Sequence, residues 1–483
     1  MENKKEPEKY TLLFQHWKKY QDKILLTNDF GGNVEIPKNE FESICSKDCS
    51  LSKADVPEEF FDKGFVAEMI DSEKHSLSWA KRHCSVMLAP ELHIMVMTGR
   101  CNMQCVYCQA GAPGRRDKSL DMSLETAKKA VDFAFNTPSP VLSFEFQGGE
   151  PLLNWDVLVS TVEYIREKEK KSSRTVSISL ISNFILMDDK KADFLLKNEV
   201  ILCTSLDGPE FVHSKNRHSE NDISYETVRK WLKYFKERHD NQKGNSYRIF
   251  KPGAIVTVTK NSIGYAKEIV DEYVAAGLES IYLRPVSKIG YAGRNWNVIG
   301  ITPAEYLDFY SEALKYIIEL NKKGISISEQ ACIIFCTKIF DAGSGGNYDI
   351  DSPCGAGTGQ IAYNYDGSIY TCDEGRMLAM DGDDIFRIGS VDEPVEKVLT
   401  ADAVRACKCA SELNAQAMCS RCAYMPYCGT CPVFNYATQG SLAGDMANNM
   451  RCAINKGQID IILECIKDRE NEAILKKWIT GSF

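Results

Sequence analysis

The chain contains no run of about eighteen consecutive apolar residues, so no membrane-spanning helix is expected. Its opening segment, Met1 to Lys9, is charged and lacks the apolar core that a secretory signal needs. Export is therefore not expected, and a cytoplasmic location is. An excess of positive charge is missing too. The formal net charge is −9, which argues against non-specific binding to a nucleic-acid backbone. Residues 10 to 85 carry neither a cysteine motif nor a catalytic signature. What is present is the composition of a globular protein, 44% hydrophobic and 26% charged. At 483 residues it is too long for one ordinary core, and two or three domains are expected.

Cysteine is plentiful, with 19 residues. In a small secreted protein that number would signal disulfides. In a large chain without an export signal it points to metal ligation in a reducing compartment. Cys101, Cys105 and Cys108 form a CxxxCxxC loop directly after Leu92–Thr98, a β-branched, apolar run that reads as a strand. Three thiolates in one short loop suit three irons of a [4Fe–4S] cube and leave the fourth iron open to a substrate or cofactor. A zinc loop is the other reading, although zinc loops usually repeat CxxC pairs from two loops. Some forty residues on, the strand-like FEFQ runs into Gly148-Gly149-Glu150-Pro151. Glycines there let the backbone come close to a ligand; a plain strand-ending turn is the alternative.

These two motifs, CNMQCVYC and GGEP, in this order and each at a strand's end, resemble the radical S-adenosylmethionine (SAM) superfamily. The resemblance implies that Cys101, Cys105 and Cys108 hold a [4Fe–4S] cluster and that Gly148, Gly149 and Glu150 contact the amino group of SAM. From about residue 90 to 287 six β-rich runs alternate with helical patterns: Leu92–Thr98, Val141–Phe146, Val176–Ile181, Val200–Ser205, Ala254–Thr259 and Ser280–Leu283. Helices are expected at Leu124–Phe135, Asp156–Glu169, Ser224–Arg238 and Ile263–Ala276, with Ser224 as an N-cap and Gly277 as a terminator. Six β-α repeats predict an α/β fold, a partial (β/α)6 barrel, with its chemistry at the C-terminal ends of the strands. By resemblance, Ser182, Asn183, Ser205 and Asp207 contact the ribose or carboxylate of SAM, while helix capping and turn formation account for Asn183 and Asp207 equally well. Arg217 has the geometry to hold a carboxylate bidentately, or else forms a surface salt bridge; His213 reads as a loop residue.

A second cysteine field occupies the C-terminal third: Cys354, then Gly367 and Cys372, followed by Cys419, Cys422, Cys428, Cys431 and Cys452. It resembles the seven-cysteine SPASM domain, which carries one or two auxiliary clusters in radical SAM enzymes that modify peptides. The last close pair is one residue tighter than the commonest form. The resemblance implies an outer cluster on Cys419, Cys422, Cys428 and Cys452, and an inner one on Cys354, Cys372 and Cys431. Cys336 is the expected fourth inner ligand; Cys332 lies one helical turn from it, Cys407 and Cys409 precede the second cysteine group, and an open site is the alternative. Structural zinc at Cys419 to Cys431 is the competing reading. Cys45, Cys49, Cys84, Cys203 and Cys465 fit neither field and are expected to be buried free thiols. Asp373, directly after Cys372, matches the position of a general base in related enzymes; a carboxylate that braces the cluster loop is the alternative.

The N-terminal stretch Ile24–Ile36 reads as a hairpin around a glycine turn, with helices near Lys38–Ser46 and Pro57–Lys63. It resembles winged-helix elements that bind leader peptides by strand addition; a simple docking domain is the alternative. The expected division is 1–88 for this module, 89–325 for the barrel, 326–455 for the SPASM domain and 456–483 for a C-terminal helix.

LHIMVMTGRCNMQCVYCQ, EFQGGEPLLN, SLDGPEFVHSKNR, YLRPVSKIGYA and YNYDGSIYTCDEGRM together resemble the radical SAM/SPASM maturase of His-Xaa-Ser peptide systems. Cys354, Cys372 and Cys431 depart from that family, in which other residues often stand there, and a sister group with different chemistry is the alternative. The resemblance implies cleavage of SAM to a 5′-deoxyadenosyl radical, hydrogen abstraction from a ribosomally made precursor peptide and closure of a thioether or carbon–carbon cross-link. It also implies an electron donor such as flavodoxin or ferredoxin. Sulfatase-maturating oxidation of a Cys or Ser side chain, and an iron–sulfur scaffold that does not cleave SAM, are the competing functions.

Overall fold

A computed structural model of the chain describes residues 9–20, 22–47, 49–83, 89–110, 117–341, 343 and 347–481. Residues 1–8 and Cys84 lie outside this set. Six parallel strands form the central sheet: β1 (Leu92–Thr98), β2 (Val141–Gly148), β3 (Thr175–Ile181), β4 (Val200–Ser205), β5 (Gly253–Val258) and β6 (Leu283–Pro285). They pair in sequence order, and helices α1 (Leu124–Asn136), α2 (Trp155–Lys170), α3 (Asp189–Lys197), α4 (Ser224–Asp240) and α5 (Ala266–Ala275) connect them. This is the expected partial barrel. His93 to Thr98 of β1 are all buried, as befits a parallel strand covered on both faces. His93 donates to or accepts from the Tyr363 hydroxyl at 2.9 Å, and burial pushes its pKa down to about 3, so it is a neutral core residue.

The sheet does not stop at β1. Strand β7 (Gln360–Tyr363) pairs in parallel with β1, and β8 (Ser368–Tyr370) and β9 (Arg387–Ser390) follow antiparallel, giving nine strands. The turn between β7 and β8 needs Gly367, whose φ is +86°. The segment YNYDGSIYTC, which leads into Cys372, therefore grows out of the barrel's own edge. Helices α6 (Pro303–Lys322), α7 (Gln330–Phe340), α8 (Asp373–Met380), α9 (Asp402–Ser411), α10 (Pro432–Gln439) and α11 (Met450–Cys465) complete the C-terminal half, with a last helix at Arg469–Thr480. Thr302 and Glu305 close a capping box at the start of α6.

Local expectations mostly hold, with physical reasons where they do not. Gly277 ends α5 with φ +72° and an N–H bond to the Val274 carbonyl. Ser224 does not cap α4. It is the first helical residue, buried, and its hydroxyl bonds His213 Nε2 at 2.9 Å. His213 lies on the helix Glu210–Asn216 rather than in a loop, and burial lowers its pKa to about 3. Cys45 is exposed rather than buried, while Cys49, Cys203 and Cys465 are partly buried.

The N-terminal strands His16–Tyr20, Lys23–Thr27 and Asn33–Pro37 form an antiparallel meander, one strand more than the expected hairpin. Its own core includes Leu26, Phe60 and Phe65. It docks on the second cysteine field: the Thr27 hydroxyl donates to the Ala423 carbonyl at 2.9 Å, and the Tyr427 hydroxyl to the Gly31 carbonyl at 2.9 Å. Among the described residues no helix is long and apolar enough to cross a membrane.

Candidate functional site

The C-terminal ends of the barrel strands converge where the cysteine loop leaves β1. Thr98 and Arg100 hold that exit. Arg100 clasps Asp121 with two bonds, Nε to Oδ1 at 2.7 Å and Nη2 to Oδ2 at 2.6 Å, and the Thr98 hydroxyl donates to the same carboxylate at 2.6 Å. Sequence reasoning missed this clasp, because nothing in a lone Arg and a lone Asp 21 residues apart signals it. Next to it, Gly149 donates to the Thr98 carbonyl at 2.9 Å and Glu150 to the Arg100 carbonyl at 2.8 Å. A Cβ on Gly149 would lie 2.0 Å from the Arg100 oxygen. The double glycine is thus explained by backbone packing against the residues just before Cys101.

Glu150 is 1% exposed, and its carboxylate is fully engaged. It accepts from Ser182 Oγ at 2.8 Å, from the Asn183 N–H at 2.9 Å and from the Leu152 N–H at 3.0 Å. Desolvation outweighs these bonds and raises its pKa to about 7. Asn183 in turn donates to the Asn102 side chain inside the cysteine loop at 2.8 Å. Gly149, Glu150, Ser182 and Asn183 therefore form one hydrogen-bonded platform beside Cys101.

A folded-state pKa near 7 means that Glu150 keeps its proton where the unfolded chain, with a carboxylate near 4.5, has released it. The stability this supplies is complete below about pH 4.5 and is lost as pH rises towards 7, a change of roughly 3 kcal/mol. In cluster-free protein, urea unfolding at about pH 5 and about pH 8 is expected to show a smaller fall in stability for Glu150→Gln than for the parent. Equal falls in the two proteins would refute the assignment.

On the other side of the loop, Met103–Cys105 pairs antiparallel with Arg217–Ser219, so that Cys105 stands opposite Arg217. Arg217 is not a surface residue: its side chain is 11% exposed, and Nε lies 3.3 Å from Asp207 Oδ2, within ion-pair range but off hydrogen-bond alignment. Its guanidinium stacks over the Tyr107 ring at 5.4 Å, and the Tyr107 hydroxyl donates to Asp207 at 2.7 Å. Burial opposes the Arg217 charge, but Tyr107, Cys105 and Asp207 together hold its pKa above the usual value. Asp207 also accepts from the Thr257 N–H at 3.2 Å, so it is committed within the protein.

Cys101, Cys105 and Cys108 keep their accessible surface on a cavity of about 360 Å³. Burial drives the Cys101 thiol up strongly and Cys105 to about 11. Such thiols ionise only against a strong local cation, as in a cluster. Among the described residues no three His, Cys, Asp or Glu side chains close around a single metal ion. Three thiols from one short loop, all bordering the cavity, are a donor set that fits a cube with its fourth iron open.

The same cavity is lined by Ser182, Asn183, Ser205 and Arg284 at the strand ends and by Asp349, Cys419, Cys428, Cys431, Arg451 and Cys452 from the second field. Cys419, Cys422, Cys428 and Cys452 stand close together: Cys419 lies within electrostatic reach of the other three, and Cys428 within reach of Cys422 and Cys452. Asn455 Nδ2 donates to Cys428 Sγ at 3.6 Å. Cys354, Cys372 and Cys431 share one buried cluster. Cys336 does not join it: its sulfur lies 3.7 Å from Cys332 Sγ, inside the core around α6 and α7. Asp373 is bound by Arg376, Nε to Oδ1 at 2.8 Å, and does not line the cavity. Its neighbour Glu374 is buried, and burial with the nearby Asp349 charge raises its pKa above the usual carboxylate range.

A partial parallel barrel whose strand ends carry a three-cysteine loop and a glycine platform defines a radical SAM fold. Residues 95–250 match the family model described as the radical SAM superfamily, so the chain carries a radical SAM domain. An uncharacterized protein of Methanocaldococcus jannaschii is 30% identical over 203 residues; the match spans 40% of this chain and 63% of that relative. Among solved structures, anSMEcpe with bound AdoMet has a TM-score of 0.65 at 19% identity, covering 79% of this chain and 100% of the other. Streptococcus suis SuiB bound to the precursor peptide SuiA has a TM-score of 0.53 at 14% identity, covering 90% and 98%. At these identities the likeness is one of fold.

Proposed function

We propose that this chain is a radical SAM enzyme that modifies a ribosomally made precursor peptide, closing an intramolecular thioether or carbon–carbon cross-link, within or beside the His-Xaa-Ser group of radical SAM/SPASM maturases. One observation carries the reading: the first cysteine loop, the Glu150 platform and the second cysteine field all border the same cavity. Support for a peptide substrate comes from SuiB, whose structure holds the precursor peptide SuiA, and from anSMEcpe with bound AdoMet and the Cp18Cys peptide.

Cys101, Cys105 and Cys108 would hold the SAM-binding [4Fe–4S] cluster. Cys419, Cys422, Cys428 and Cys452 would hold the outer auxiliary cluster, and Cys354, Cys372 and Cys431 belong to the inner one. When bound, the first cluster and SAM supply hydrogen-abstracting radical chemistry, with electrons from a donor such as flavodoxin or ferredoxin. The residues of the chain position and enclose. The Glu150 platform would take the SAM amino group, and Ser205 would contact the ribose or carboxylate. Arg217 and Asp207, locked against Tyr107, keep Cys105 in place and exclude water. Arg284 and Arg451 give the cavity between the two fields a positive wall suited to a peptide backbone or carboxylate. Because Arg376 holds Asp373, Asp349 on the cavity wall is the carboxylate best placed to receive a proton. The N-terminal meander, with Trp17 53% exposed on its edge strand, is proposed to take a leader peptide by strand addition.

The test is anaerobic co-expression with a short peptide encoded beside the gene. Loss of two hydrogens from the peptide is expected, with fragmentation locating the cross-link. In parallel, the cluster-loaded enzyme with strong reductant is expected to form 5′-deoxyadenosine from SAM. No 5′-deoxyadenosine from fully loaded enzyme would overturn the reading.

A further inference from the structure

The inner cysteine set has a fourth member that chain order disguises. Cys407 sits in the middle of α9, is 0% exposed, and belongs to the same buried cluster as Cys354, Cys372 and Cys431, which are 3%, 3% and 5% exposed. Four segments bring the four thiols together. Cys372 precedes α8 and accepts from the Gly375 N–H at 3.4 Å, and Cys431 precedes α10 and accepts from the Phe434 N–H at 3.4 Å. Ser411, one turn after Cys407, ties the other two. Its hydroxyl donates to the Cys407 carbonyl at 2.7 Å and accepts from the Cys354 N–H at 2.9 Å. Thr371, next to Cys372, donates to Cys372 Sγ at 3.9 Å. Cys431 and Cys354 each lie within electrostatic reach of Cys407.

Four buried thiols from four separate segments in one cluster, none of them in a disulfide, are the donor set that a cube needs. Cys336, by contrast, has its sulfur against Cys332 and packs in a different cluster. Cys409, two residues from Cys407, is exposed.

We propose that Cys407 is the fourth thiolate of the inner auxiliary [4Fe–4S] cluster, completing the shell begun by Cys354, Cys372 and Cys431. The proposal rests on the second cysteine field being cluster-bearing. With four thiolates from the protein, the inner cluster would have no iron open to substrate, and its chemistry would be electron transfer.

The test uses the full chain, reconstituted anaerobically, with iron and sulfide counted per chain and the reduced protein followed by low-temperature electron paramagnetic resonance. The parent is expected to hold about twelve irons, four per cluster. Cys407→Ala and the better-filling Cys407→Val are expected to lose about four irons or to show a three-iron signal. Cys407→Ser, which keeps an oxygen ligand, is expected to keep the iron and shift the spectrum. Cys336→Ala is expected to match the parent in both readouts. Parent-like iron and spectra in all three Cys407 variants, with Cys354→Ala losing the inner cluster, would overturn the assignment of Cys407 alone. Parent protein with about eight irons, unchanged by Cys354→Ala, would instead overturn the inner cluster itself.

Discussion

Replacing Cys105 with Ala is expected to reduce 5′-deoxyadenosine formation to background. Cys105 is central to the first cysteine loop: it pairs in strand register with Arg217, and its thiol borders the cavity. Ala at this position leaves two thiolates where three irons need protein ligands. The loss should exceed the roughly 10–100-fold effect of removing a group that merely supports a metal ligand. Cys428→Ala is the informative partner experiment. Cys428 borders the same cavity but belongs to the second field. Its variant is expected to cleave SAM at a rate within a few fold of the parent and to release unmodified peptide. Chromatographic measurement of 5′-deoxyadenosine beside mass spectrometry of the peptide separates the two effects. Persistent SAM cleavage by Cys105→Ala would remove the basis for the cluster assignment.

A single methyl group at Gly149 is expected to lower both stability and SAM affinity. The Cβ would meet the Arg100 oxygen at 2.0 Å, the Arg100 carbonyl carbon at 2.4 Å and the Cys101 nitrogen at 3.0 Å. All three are backbone atoms, so no side chain can swing away. Either β1 shifts at its exit, carrying Cys101 with it, or the Glu150 platform lifts off. Overpacking of this kind costs about 1–3 kcal/mol, and more where backbone must move. Gly149→Ala is thus expected to lower stability by at least about 2 kcal/mol in urea unfolding and to weaken SAM binding about tenfold or more. Gly293→Ala is the control, because its nearest neighbour would lie 3.6 Å away, an ordinary contact. Equal stability and SAM affinity for Gly149→Ala and the parent would mean that the double glycine serves neither packing nor the platform.

The barrel was largely legible in the chain. Strands β1 and β4 lie at their expected bounds, and the helices between strands begin and end within a few residues of the expected ones, because short-range hydrophobic period and capping set both. The placement of Ser182, Asn183 and Ser205 followed from the same logic, since parallel strands deliver their C-terminal ends to one rim. Less visible was the continuation of the barrel sheet into β7, β8 and β9. A strand's partner is decided by long-range packing, and β7 pairs with a strand more than 260 residues earlier in the chain. Arg217 illustrates the same limit. Its sequence neighbours look like a polar loop, yet pairing with the cysteine loop buries it against Asp207.

The sequence by itself determined the chemistry: the CxxxCxxC and GGEP motifs, the order of the second cysteine field and the β-α alternation are local patterns whose spacing carries meaning. Only the tertiary structure decided which buried cysteines meet. On α7, Cys332 and Cys336 are four residues apart, so one helical turn brings their sulfurs to 3.7 Å and commits them to each other. Cys407 shares a buried cluster with Cys354, Cys372 and Cys431 because two helix starts and the Ser411 bonds bring their segments together, which no spacing along the chain encodes. The double glycine also makes room for the backbone ahead of Cys101, a contact that the motif's spacing does not show. Residue type and period act over a few residues, whereas the meeting of four thiols from distant segments is settled by how whole elements pack.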